Sequence, residues 1–186
     1  SWAKLINAEG SIQKNSWKLP ASPHAIPSIL LFRNYFAQPS LLIRREYIPQ
    51  GGYEEGYEIG EDYIMWADIA KKAKVWNLPE YLVYIRQHPG NISRKDNPVL
   101  RDYESRIYQR LFKPLEIEVA GRRFELLMHL KYSQKIENPD ILKSVEGFLT
   151  LILSQNLKFK VYAHKYLVRT VLNRWLKACY MSKEMH

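Results

Sequence analysis

One cysteine in 186 residues, Cys179, excludes an internal disulfide and suits a reducing compartment. No run approaches the roughly 18 apolar residues of a membrane span. There is neither an initiator Met nor a signal peptide with an apolar centre, and Ser1-Trp2-Ala3-Lys4 reads as a chain entered partway through. Repeats of solenoid length and low-complexity tracts are also absent. With those classes set aside, 46% hydrophobic and 13% aromatic content point to a folded, soluble piece of something longer. Its length allows one sizeable core, or one domain with an appendage.

The net charge of +9 is unevenly placed. Residues 1–100 hold 12 Lys and Arg against 10 Asp and Glu, whereas residues 101–186 hold 16 against 9. The basic second half favours an anionic partner: phospholipid headgroups, a polyprenyl diphosphate or nucleic acid.

Pro20, Pro23 and Pro27 predict an irregular first 27 residues, with Trp2 and Trp17 as anchors. Ile29–Phe32 reads as a short helix or a buried segment, and Pro39–Ile43 as a buried strand. From Glu61 to Ala73, Asp62, Trp66, Ile69 and Ala73 share one helical face, while Glu61, Asp68, Lys71 and Lys72 lie elsewhere. Lys74–Asn77 and Tyr81–Gln87 predict two short strands. The pattern changes around Asp96-Asn97-Pro98. Beyond it, helical periodicity marks 99–112, 122–133, 140–154 and 158–181, with breaks at Pro114 and Asn138-Pro139. The organisation predicted is an α/β region over 1–97 with short strands, and a helical region over 98–186.

Two segments carry candidate chemistry. Gly51-Gly52-Tyr53-Glu54-Glu55-Gly56-Tyr57-Glu58-Ile59-Gly60-Glu61-Asp62 brings five carboxylates through a glycine-punctuated loop to the start of a helix. Helix N-termini stabilise carboxylates by about 0.3–1 kcal/mol, so Gly-Glu-Asp can be a plain helix start. Crowding Glu54, Glu55 and Glu58 beside it favours a bound cationic or hydroxylic group. The second segment is Tyr84-Ile85-Arg86-Gln87-His88-Pro89-Gly90. Strand alternation sends Tyr84, Arg86 and His88 to one side, and Pro-Gly lets the backbone turn closely about a ligand. A lone histidine is more often structural than a metal ligand. Asn91-Ile92-Ser93 matches a glycosylation acceptor formally and is read as loop hydrogen-bonding groups.

Taken in order, Gly51–Glu55, Glu61-Asp62-Tyr63-Ile64-Met65-Trp66 and Asn77–Ser93 resemble the acceptor-side half of bacterial family-2 glycosyltransferases of the GT-A fold. The resemblance covers roughly residues 28–95. It implies that Asp62 is the catalytic base, taking a proton from an acceptor hydroxyl as that oxygen attacks the anomeric carbon of a nucleotide-sugar with inversion. Glu61 is implied to help place the acceptor or the neighbouring loop, and Arg86, Trp66, Gly51 and Gly52 to form the substrate-binding set. His88 is implied to complete the coordination of a divalent Mn or Mg ion on the diphosphate. The family's Asp-x-Asp metal motif is absent here. A histidine alone holds such hard ions poorly. The expectation is therefore a C-terminal glycosyltransferase portion, inactive by itself, serving cell-surface polysaccharide synthesis.

In the basic tail, Lys158, Lys160, Lys165, Arg169, Arg174 and Lys177 interleave with aromatic and aliphatic residues. This is either an ordinary packed helix or an interfacial helix on anionic lipid, which would suit a polyprenyl-diphosphate-linked or glycan acceptor and a cytoplasmic protein peripheral on the membrane's inner face. The competing function is a non-catalytic scaffold or membrane-docking module. Nucleic-acid binding ranks last, resting on charge and aromatics alone.

Overall fold

The computed structural model describes residues 1–18, 22–91 and 98–182. The protein is mixed α/β, with three strands in one sheet and six α-helices among the described residues. It divides into two compact units: Ser1–Ile26 with Asn34–Glu104, and Pro27–Arg33 with the chain from Ser105 onward. The expected boundary at 97/98 involves Asn97, outside the described residues, as do Ile92 and Ser93 of the formal glycosylation triplet. The compact units themselves part at Glu104/Ser105, seven residues later, and the second recruits Pro27–Arg33 from the N-terminal region.

The first unit is built on β1 (Trp2–Ile6), which pairs antiparallel with β2 (Ile12–Trp17) and parallel with β3 (Tyr81–Arg86). This corrects the irregular reading of the N-terminal residues. The prolines lie after Trp17, so they leave both strands intact. A turn at Asn7–Gly10 joins the strands: Ser11 donates its N–H to Asn7 Oδ1 at 2.7 Å, and Gly10 takes a φ of 91° that a side chain would resist. The β1–β3 ladder continues at both ends, through Trp2 N–H to the Glu80 carbonyl at 2.9 Å and Gln87 N–H to the Ile6 carbonyl at 2.8 Å. Along β3, Tyr81, Val83 and Ile85 are half-buried while Leu82, Tyr84 and Arg86 are exposed, the period-two signature of a strand.

Between β1 and β3 runs α2 (Glu61–Lys72), which buries Tyr63 to Ala67, Ile69 and Ala70 and carries Lys71 and Lys72 in its last turn. Those cations suit the negative end of the helix dipole. The expected strands at 39–43 and 74–77 do not form. Gln38–Ser40 is a single 3-10 turn, and Leu41 and Arg44 are extended in dihedral angle without entering the sheet.

The second unit is helical: the later turns of α3 (Pro98–Phe112), then α4 (Gly121–Tyr132), α5 (Pro139–Phe159) and α6 (His164–Ser182). Ile107, Tyr108, Leu111 and Phe112 of α3 are buried at i, i+1, i+4, i+5 spacing, and Phe112 stacks on Phe148 of α5 at 5.9 Å. Pro114 sits in a 3-10 turn after α3, and Asn138 caps α5 by accepting the Asp140 N–H at 2.8 Å, with Pro139 in the first turn. The corner between α5 and α6 is closed by buried Asn156, which donates to the Tyr162 carbonyl at 3.0 Å and accepts the Tyr162 N–H at 2.8 Å. The expected tail helix over 158–181 is thereby corrected: Lys158 and Phe159 finish α5, Lys160 turns left-handed, and α6 starts at His164.

Pro27–Arg33, which follows the start of the short helix α1 (Ile26–Leu30), supplies core to these helices. Phe32 is fully buried, its carbonyl accepts the Tyr108 hydroxyl at 2.8 Å, and its ring lies 5.4 Å from the Arg174 guanidinium. Ser28 and Thr170 share a buried hydroxyl–hydroxyl bond of 3.0 Å. Tyr108→Phe leaves the Phe32 carbonyl without this donor, and a loss of about 1–3 kcal/mol is expected in urea unfolding monitored on the helical signal.

Candidate functional site

The site is set by how the chain enters α2. Gly60 holds φ 86°, ψ 11°, the left-handed conformation, and no side chain caps the helix. The turn at Gly60 delivers Glu61 and Asp62 into the first helical turn. Asp62 Oδ1 accepts the Tyr63 backbone N–H at 2.6 Å, satisfying one of the amide donors left open at a helix start. Its Oδ2 accepts Asn34 Nδ2 at 3.3 Å. The orientation of the Asn34 amide is fixed by its own Oδ1, which accepts the Phe36 N–H at 2.9 Å.

Asp62 is half-buried, and burial raises its pKa above the ordinary 3.8. The Tyr63 N–H opposes the shift, the adjacent Glu61 charge reinforces it, and Trp66 and Asn34 oppose it further. Desolvation wins, giving a carboxylate with heightened proton affinity. Trp66 stands one turn on, buried to 5% exposure. Its indole N–H is close enough to favour the Asp62 charge, yet it meets no partner at hydrogen-bond geometry. Tyr53, from the glycine loop, packs edge-on against the Trp66 ring at 6.3 Å and accepts a hydrogen bond from Gln38 Nε2 at 3.0 Å. Trp66 also walls a groove of about 440 Å³ in the first unit, with Tyr47, Trp76, Leu42, Arg44 and Lys74 around it.

The fold thus brings together Asp62, Glu61, Trp66 and, through Tyr53, the loop that holds Gly51 and Gly52. Gly52 N–H bonds to the Pro49 carbonyl at 2.9 Å with φ 75°, so this glycine is needed for the turn itself. Of the five carboxylates, Glu54, Glu55 and Glu58 are exposed to solvent. The crowding expected of them is therefore relieved by water, and the argument for a bound cation narrows to Asp62 and Glu61. Asn34 and Tyr53 join the site without having been singled out in the sequence.

Arg86 and His88 have other immediate partners. Arg86 Nη1 donates to the Asn7 and Ala8 carbonyls at 3.2 and 2.6 Å, bracing the β1–β2 turn. Strand β3 ends at Arg86, so His88 lies in the turn beyond it instead of alternating with Tyr84 and Arg86. His88 N–H donates to Asn91 Oδ1 at 2.9 Å, and its Nδ1 accepts the Gly90 N–H at 3.2 Å. The Nδ1 of His88 is thus engaged within its own turn. Among the described residues no group of three or more His, Cys, Asp or Glu is placed to hold a metal ion.

Comparison with models of protein families, with curated proteins and with solved structures found no match.

Two outcomes are expected of this geometry. Gly60→Ala forces a side chain into a left-handed conformation and lowers stability by about 1–2 kcal/mol in denaturant titration. For Asp62 the native state keeps a proton that the unfolded chain releases between 3.8 and the raised native value, so its contribution to stability falls as pH rises through that window. Asp62→Asn removes this term. The difference in Tm between variant and wild type shifts in the variant's favour from acid to neutral pH; a difference independent of pH contradicts the raised pKa.

Proposed function

We propose that this chain is the acceptor-side part of an inverting glycosyltransferase of GT-A type, with the nucleotide-binding half lying outside these 186 residues. The observation that carries the reading is the half-buried Asp62 in the first turn of α2, desolvated, oriented from two sides and held beside a tryptophan. A general base needs this combination: fixed direction and a proton affinity raised toward neutrality. The groove gives secondary support: its exposed Tyr47 and Trp76 offer a sugar ring apolar surface to pack on, while Asp62 is not among its lining residues and meets it only through buried Trp66 one helical turn on.

In this mechanism the acceptor hydroxyl gives its proton to Asp62 as its oxygen forms a bond to the anomeric carbon of the donor. The bond from that carbon to the nucleoside diphosphate breaks, the diphosphate takes the electron pair, and the configuration inverts. Asn34 and the Tyr63 amide aim the carboxylate; Glu61 raises its proton affinity. Arg86 has Nη1 occupied and reaches a diphosphate only through its remaining N–H groups. An ion that neutralises the leaving group would need several oxygen ligands, which the nucleotide-binding half would supply, with His88 as a candidate further ligand. The product would extend a glycan or a lipid-linked acceptor for the cell surface.

The test is nucleoside-diphosphate release by the full-length protein across a panel of nucleotide-sugars, with Mn²⁺ or Mg²⁺ and an oligosaccharide or lipid-linked acceptor. Asp62→Asn is expected to lower kcat by about 10²–10⁴ while the protein stays folded. Turnover indifferent to the substitution removes Asp62 from the role. Absence of turnover with any donor favours a docking module without catalysis.

A further inference from the structure

Helix α6 has two apolar faces. One, formed by Leu167, Val171 and Ala178, is buried in the second unit. The other consists of Leu172, Leu176 and Tyr180, which are 52%, 64% and 69% exposed. At roughly 100° per residue these three fall within about 80° of arc, directly opposite the buried face, and Lys165 and Arg169 continue the same line toward the helix start. Lys177 borders it. All three cations are exposed, and the 19 residues of α6 contain no Asp or Glu.

The other basic residues of the tail are otherwise engaged or lie off the helix. Lys158 faces Glu116 at 3.6 Å and the Phe159 ring at 4.4 Å. Arg174 is buried, donating to the Leu130 carbonyl at 3.4 Å beneath Phe32. Lys160 is exposed at the α5–α6 corner. What remains on α6 is a narrow stripe ending in a tyrosine and bounded by cations.

We propose that this stripe docks the protein on an anionic lipid surface, with α6 lying in the plane of the headgroups. Three observations select that occupant. The three side chains expose only a few hundred Å², well short of the roughly 1,000 Å² of a stable protein interface. A bilayer needs no matching shape and takes a flat row of Leu and Tyr into its interfacial zone. A helix free of carboxylates and lined with Lys and Arg is attracted to phosphate headgroups along its length. Among the described residues no helix is long and apolar enough to cross a membrane, so the contact is one of lying on the surface.

Flotation of the 186-residue chain with phosphatidylcholine vesicles, with and without phosphatidylglycerol, tests this. Binding is expected only to the anionic vesicles and is expected to weaken with salt. Replacing Lys165, Arg169 and Lys177 by Gln lowers the partition coefficient by about a hundredfold, about fivefold per cation. Replacing Leu172, Leu176 and Tyr180 by Ala lowers it by about tenfold or more. Ala and Gln are strong helix formers, so helicity by circular dichroism is expected to be unchanged in both variants. Equal binding to neutral vesicles, no binding to either kind, or an alanine variant that floats like wild type overturns the proposal. So does a solution dimer that the alanine variant abolishes, which makes the stripe a self-association face, or retention by single-stranded oligonucleotide that both variants lose.

Discussion

Parallel pairing of β1 with β3 is the constraint on which the first unit depends. Parallel strands cannot be joined by a tight turn, so the chain must make a long excursion between them. Everything in the candidate site belongs to that excursion: Asn34, Gln38 on its 3-10 turn, the glycine loop with Tyr53, and α2 with Asp62 and Trp66. The sheet contributes Arg86 only as a brace for its own first turn. Loops carried on a scaffold are where binding and catalytic groups concentrate, and here the scaffold is three strands wide.

The amino-acid order made the helices legible and the sheet much less so. Apolar spacing near 3.6 located α2 to α4 and the bodies of α5 and α6 because the signal is local to each helix, with Asn138-Pro139 and Gly60 as punctuation, but it missed the break at Lys160. Strand β1 has its parallel partner almost 80 residues away, and nothing within five residues of Trp2 announces it. The segment at 39–43 shows the converse. The backbone is extended at Leu41 and Arg44, but a strand also requires a ladder partner, and none of the three strands pairs with this segment. The turn Asn7–Gly10 was readable in principle, since Asx and glycine residues mark turns. The nearby prolines obscured it.

In the candidate site, the place of Asp62 in the first turn of a helix was legible from glycine followed by two acids, while its role as a base is implied only by the family resemblance. Asn34 was not legible, since its role comes from a side-chain amide pinned by Phe36 and aimed across 28 residues. Charge counting also overstated the acidic loop. Whether neighbouring carboxylates strain one another depends on exposure, and Glu54, Glu55 and Glu58 face solvent while Asp62 is drawn inward. The grouping of His88 with Tyr84 and Arg86 assumed that β3 ran two residues further than it does.

The opposed apolar faces of α6 raise a problem of choice for the folding chain. By hydrophobicity alone the helix could pack with either side inward. The wrong side would carry Lys165 and Arg169 toward the core, where unpaired charge costs several kcal/mol. The right side carries Thr170, whose hydroxyl meets Ser28, and Arg174, whose guanidinium finds the Leu130 carbonyl and the Phe32 ring. Two polar residues buried on the inner face thus act as a key.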